Sequence, residues 1–183
     1  MKDDMRKRLM KQIVEQHGKI VYSITTNEKE IGQILFWKKV RQIISIILSA
    51  ITVSPAFSSL FDNNLFWNFF SAIAGIILLC LSSYNLRTDS DSILIELKTS
   101  ADSLWEIREK YVSLLIDFDA FEIEQIRNKR DELVRATADV YKKRPKTSQR
   151  AYSKAQKAIQ DEEEQTFNKG EAELLLPEVL RKE

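Results

Sequence analysis

Glycine and proline are scarce in this chain, 4 and 3 among 183 residues. A many-stranded β architecture needs more turn residues than that, so the chain reads as helical. The one cysteine, Cys80, excludes an intramolecular disulfide framework and suits a reducing compartment or a lipid-buried position. The one histidine, His17, cannot by itself build a catalytic triad or a multi-histidine metal site. Gly-rich phosphate loops and the patterns H-E-x-x-H, C-x-x-C and G-x-S-x-G are all missing. Neither an enzymatic activity nor a cofactor is expected. Net charge is almost absent as well, +1 for the whole chain, so no nucleic acid is expected as a partner.

The most informative absence is local. Between Arg41 and Arg87 lie 45 residues of which Asp62 alone is charged. Gln42–Phe61 is a charge-free run of 20 and Asn63–Leu86 one of 24. Roughly 20 apolar residues at ~1.5 Å rise cross a ~30 Å hydrocarbon layer. The predicted organisation is therefore a transmembrane hairpin over 42–86, with spans at about 42–61 and 65–86 and a turn at 62–64. Residues 1–41 form cytoplasmic N-terminal helices and 87–183 a cytoplasmic helical region. A soluble hairpin would need both runs wrapped by partners, and the remainder of the chain is too polar to wrap them. Lys38, Lys39 and Arg41 precede the first span, Arg87 follows the second, and the turn has no cation. This asymmetry predicts both termini in the cytoplasm and the Asp62 turn outside, in a cell's inner membrane. Trp37 on the inner side and Phe66 and Trp67 near the turn fit interfacial aromatics. Some forty residues precede the first run, so no cleaved signal peptide is expected.

Within the first span, Gln42, Ser45, Ser49 and Thr52 fall on one helical face, and the second carries Ser71 and Gly75 at similar spacing. Two readings stand side by side. Small and hydroxylated residues let helices approach closely and bond across an interface. A polar stripe can also line a water path once several hairpins assemble. Pro55 frees the Ile51 carbonyl and predicts a kink. With no ionisable carboxylate, Lys, Arg or His inside either run, a proton relay or voltage sensor is not expected.

Outside the spans, Met5, Leu9 and Ile13 predict a helix over 3–16, which His17-Gly18 is expected to interrupt before a second segment at about 19–37. Leu97, Ala101, Leu104, Val112, Leu115 and Phe118 predict a long amphipathic helix continuous with the second span. "DFDAF" (117–121) ends that pattern. A helix over about 121–142 then folds back, with Ile126, Leu133 and the polar exception Thr137 inward. Pro145 forbids continuation, and Thr147 or Ser148 caps a last helix faced by Ala151, Ala155 and Ala158. Lys142, Lys143, Arg144, Lys146 and Arg150 make a dense basic patch there. It could take a phosphate at a helix N-terminus or face lipid headgroups. It could equally be a solvated helix end balanced by the acidic run Asp161–Glu164.

The paired spans are followed by "ADSLWEIREKYVSLLIDF" (101–118), "RDELVRATADVYKKRPKTSQRAYSKAQKAIQ" (130–160) and "LLLPEVLRKE" (174–183). In that order these blocks resemble the SLATT family, small bacterial two-transmembrane effectors, and the P-x-T-x-x-x-A-Y-x-x-A-x-x-A run at Pro145–Ala158 is the most distinctive piece. The resemblance implies an all-α membrane protein, a two-helix transmembrane hairpin with a cytoplasmic helical bundle. It also implies a role in anti-phage conflict beside second-messenger synthases or reverse transcriptases. Members would form homo-oligomers, open the bilayer and arrest the infected cell, in answer to a nucleotide second messenger or a partner defence protein. A non-conducting membrane anchor that recruits partners is the alternative.

Overall fold

The computed structural model describes residues 2–58, 65–87, 89–169 and 171–174, with the side chains of 54–58, 65–68, 173 and 174 left aside. The expected turn at 62–64 with Asp62, the side chains of Pro55, Phe66 and Trp67, and residues 175–183 lie outside what is described. Among the described residues six α-helices follow in order: α1 Lys2–Ser58, α2 Leu65–Arg87, α3 Ser90–Ile116, α4 Ile123–Lys143, α5 Gln149–Gln160 and the short α6 Glu171–Leu174. Among the described residues there is no strand. Two compact units result, one from Met1–Glu30 with Glu96–Glu183 and the other from Ile31–Ile95.

Two helix boundaries differ from expectation. α1 runs unbroken through His17-Gly18. A mid-helix glycine costs about 1 kcal/mol, less than is gained by burying Ile13, Ile20 and Ile24 on either side of it at 0%, 1% and 4% exposure. The second correction is that α2 and α3 are separate helices. Asp89 restarts the chain: its carboxylate accepts from the Ser92 N–H at 3.1 Å and its carbonyl accepts from the Ile93 N–H at 3.4 Å.

In the first unit, side-chain contacts fix the direction of each helix. Arg6 donates to the carbonyls of Phe118 (2.8 Å) and Phe121 (3.0 Å), while His17 stands beside Arg108, so α1 and α3 are antiparallel. Arg130 donates to Gln12 Oε1 at 2.9 Å and Ser23 meets the Tyr141 hydroxyl at 2.8 Å, so α4 runs parallel to α1. Tyr111 meets Thr137, closing the antiparallel α3–α4 pair. The shared core contains Leu9, Ile13, Ile20, Leu104, Tyr111, Leu114, Phe118, Ile126 and Leu133. Thr137 is tolerated there because its hydroxyl donates to the Leu133 carbonyl at 2.8 Å. A turn at 117 and a 3-10 turn Phe118–Ala120 end α3, and Glu122 with Gln125 closes a capping box that starts α4. Pro145 holds Arg144 extended (ψ 147°), ending α4 behind Lys142 and Lys143. α5 lies close on the bundle through Ala151, Ala155 and Ala158, all at most 1% exposed.

The second unit has the opposite pattern. Its α1 segment and α2 meet through Arg41, Ser45, Leu48 and Thr52 on one side and Ser71, Ala74, Gly75, Leu78 and Leu81 on the other, the less exposed positions of each helix. Steps of three and four residues define both faces, as in interlocking helix pairs. Large apolar residues point away from the contact: Ile46 is 62% exposed, Ile76 62% and Leu79 70%. The segment Phe69–Arg87 is long and apolar enough to cross a membrane. The counterpart in α1 passes beyond the described side chains at Val53, and Cys80 lies exposed on α2.

Candidate functional site

The stripe residues of the helical pair divide into two sets. Ser45, Thr52, Ser71 and Gly75 turn toward the partner helix, whereas Gln42 and Ser49 are exposed. Thr52 shows how the inner set works. Its hydroxyl donates to the Leu48 carbonyl at 2.8 Å, which leaves its methyl free for packing. That methyl stands 3.7 Å from where a side chain at Gly75 would begin. A side chain reaching beyond Cβ at Gly75 would separate the helices. The outer set, seven residues apart, leaves a narrow polar line on an otherwise apolar surface of Ile43, Ile44, Ile46, Ile47 and Ile51.

At the cytoplasmic-side end predicted for these spans, Lys38 Nζ donates to Asp91 Oδ1 at 2.5 Å. The Arg41 guanidinium carbon lies 5.8 Å from the centre of the Tyr84 ring. Phe36 and Trp37 form an exposed edge-to-face pair at 5.6 Å, 61% and 48% exposed, where the sequence placed an interfacial aromatic.

The basic patch is dispersed. Lys142 pairs with Asp139 at 3.2 Å, and Lys143, Lys146 and Arg150 are exposed. Arg144 alone turns inward, its guanidinium 4.4 Å from the Tyr141 ring centre. It lines a cleft of about 660 Å³ in the bundle together with Lys19, Tyr22, Tyr141 and Tyr152. Tyr22 and Tyr152 stack across the cleft with centroids 6.4 Å apart. Gly18 also borders it, with nothing within 4 Å of where its side chain would be.

The N-terminus of α5, where a phosphate was considered, is already occupied from within the chain. Glu30 Oε2 accepts from the Ser148 N–H at 2.9 Å and from the Ser148 hydroxyl at 2.6 Å, while Ser148 Oγ accepts from the Ala151 N–H at 3.2 Å. A carboxylate thus supplies the negative charge that this helix end favours. The acidic run is partly neutralised too, through Lys29–Glu164 at 2.8 Å and Lys157–Glu162 at 3.7 Å. Burial first, and then Glu164, push the Glu28 carboxyl above its ordinary value, with Lys29 opposing.

Sequence reasoning missed the polar run Thr25-Thr26-Asn27, all at most 4% exposed. Each threonine hydroxyl bonds back to the preceding turn, to Val21 and Tyr22 carbonyls at 3.1 Å and 2.6 Å. Asn27 has no hydrogen-bond partner for either end of its amide. The sequence signal was weak: three short polar residues continuing an apolar face. Among the described residues no group of three or more His, Cys, Asp or Glu is placed to hold a metal.

Compared with known protein families, residues 9–171 match the model described as SMODS and SLOG-associating 2TM effector domain family 4. No curated protein and no solved structure matches the chain.

Proposed function

We propose a membrane-opening role for this chain from the premise that it belongs to family 4 of the SMODS and SLOG-associating 2TM effector domains. That membership makes it a membrane effector of conflict systems. In the fuller reading, α1 and α2 form a two-span hairpin in the inner membrane with both termini cytoplasmic. Copies assemble into a homo-oligomer, and a trigger opens the bilayer, ending an infection by arresting or killing the cell. The observation that carries this reading is the packing of the second unit, where Ser45, Thr52, Ser71, Ala74 and Gly75 lie with Leu48, Leu78 and Leu81 between the helices while the isoleucines, Leu79 and Phe69 face outward. Such a surface is stable against lipid and costly against water. Gln42 and Ser49 are the polar residues left free to face a water path between copies.

The trigger is proposed to be a nucleotide second messenger or a partner defence protein, received at the tyrosine-lined cleft beside Arg144. It acts by binding the open arrangement better than the closed one. One observation favours the second reading, a non-conducting anchor: Ser45, Thr52, Ser71 and Gly75 are spent on contact within one copy.

Cells expressing the protein with a potential-sensitive dye separate the two. Conduction predicts depolarisation that the double change Gln42→Leu and Ser49→Leu removes while membrane abundance is kept. Full polarisation in cells whose membranes hold abundant cross-linkable protein would leave the anchor reading.

A further inference from the structure

Arg41 is the last cation before the charge-free run of the first span. Its Nε is buried with no hydrogen-bond partner, and its guanidinium is held over Tyr84. Beside it opens a cavity of about 420 Å³ that also meets Lys38 and Asp91, the amides of Gln42 and Asn85, and the Ser45 hydroxyl. Lys38 and Asp91 are bonded to each other and cancel. Among the described residues that line it, the cavity therefore carries one positive charge without an ion pair, beside neutral polar side chains.

We propose that this cavity binds the phosphodiester headgroup of an anionic phospholipid from the cytoplasmic leaflet. Depth supports the assignment, because Gln42 opens the apolar run and the cavity sits where hydrocarbon gives way to headgroups. Charge supports it as well: a phosphodiester carries one negative charge and matches Arg41, the lining cation with no ion pair among the described residues. Geometry adds a third support, since the guanidinium is held over Tyr84 beside the cavity and its planar fork suits phosphate oxygens. The amides of Gln42 and Asn85 are within the same cavity to serve the glycerol hydroxyls of the headgroup, and the acyl chains would lie on the outward isoleucines and leucines. The inference rests on the bilayer placement of this unit and not on pore opening.

The test uses the full chain in detergent micelles, titrated with short-chain phosphatidylglycerol, phosphatidylcholine and inorganic phosphate. Bound lipid is counted by native mass spectrometry, and far-UV circular dichroism checks that each variant is folded. Phosphatidylglycerol is expected to bind more tightly than phosphatidylcholine, and Arg41→Gln to weaken it about tenfold, the loss of one charge-assisted contact. Lys39→Gln removes a cation from the same depth but outside the cavity, and is expected to change binding less than about twofold. Asp91→Asn frees Lys38 and is expected to strengthen binding, an opposite sign that no folding defect would mimic. Equal losses from Arg41→Gln and Lys39→Gln would mean diffuse surface attraction and overturn the site, even with the protein firmly in membranes. Inorganic phosphate that competes fully with the lipid would assign the cavity to a soluble ligand and overturn it too. A wild-type chain that fractionates away from membranes would remove the premise, an outcome distinct from either.

Discussion

The two units of this chain solve the packing problem in opposite ways. In the bundle, Ile13, Leu104, Tyr111 and Ile126 are fully buried, and ion pairs such as Lys7–Asp3, Arg8–Asp4 and Lys110–Glu106 line the outside. In the helical pair, Ser45, Thr52, Ser71 and Gly75 share the contact with Leu48, Leu78 and Leu81, and the isoleucines and Leu79 point out. Water rewards the first arrangement because apolar area leaves the solvent. It penalises the second, which gains nothing from hiding serine and exposes isoleucine. Hydrocarbon reverses both preferences, since lipid tails are as apolar as leucine and association then relies on close contact. Under the proposed bilayer placement, the difference between the units is a difference of solvent.

The largest expected effect tests that contrast directly. Leu104→Ala empties a fully buried position in the bundle and should destabilise it by about 2–5 kcal/mol. Ile76→Ala removes a comparable side chain that is 62% exposed, and should shift stability by less than about 0.5 kcal/mol. Chemical denaturation in detergent, followed by circular dichroism, measures both. Equal costs at the two positions would mean that Ile76 is covered by protein, and the reading of a lipid-facing surface would have to be given up.

How much of this was legible depends on whether the signal was local or relational. The charge-free runs, the break at DFDAF, the stop at Pro145 and the Ser148 cap all depend on residues adjacent in sequence, and each was readable there. Gly18 was misread because its local cost was visible and the burial of Ile13 and Ile20 around it was not. The restart at Asp89 was hidden by apolar residues continuing the helical period beyond it, although an Asp ahead of Ser90-Asp91-Ser92 carried a capping signal. The polar stripe was found as a set, but its division into inner and outer residues needs the partner helix, because Ser45 and Ser49 are alike in sequence. Nor could sequence pair Glu30 with Ser148, 118 positions apart.

A smaller effect compares two glycines, one in each unit. A side chain at Gly18 would enter open space, so Gly18→Ala should stabilise the bundle by about 0.5–1 kcal/mol through the backbone alone. At Gly75 the first carbon would already touch the Thr52 methyl at 3.7 Å. Gly75→Ala should be tolerated, whereas Gly75→Leu should force the helices apart at a cost of about 1–3 kcal/mol. Thermal melts in the same detergent read all three. Tolerance of leucine at Gly75 would show that the two helices are not held in close contact.

The smallest effect separates the units by pH. His17 Nε2 is buried without a partner. Burial first, and then nearby Arg108, hold its pKa below the ordinary value of about 6.5, with Glu109 opposing. A histidine whose folded pKa is lowered favours the neutral ring in the folded state. Its contribution is therefore complete above the unfolded value of about 6.5. It is lost as pH falls from there through the folded pKa, because the unfolded chain takes up the proton first. The carboxylates held low by lysines, Glu15 by Lys19 and Glu106 by Lys110, lose their contribution in the same direction but at more acid pH, which leaves the start of the decline to His17. His17→Gln should flatten the stability profile just below pH 6.5 and leave the acid limb unchanged. Since His17 is the one histidine of the chain, the helical pair should show no change in that window, and melting followed separately at Trp105 in the bundle and Trp37 in the pair would show whether the decline belongs to the bundle. A decline that survives His17→Gln would show that His17 is not its source, and Glu28, raised by burial and by Glu164, cannot stand in for it. Glu28 would change stability with the opposite sign, since a raised carboxyl is most favourable when protonated and loses ground as pH rises, so the slope alone tells the two groups apart.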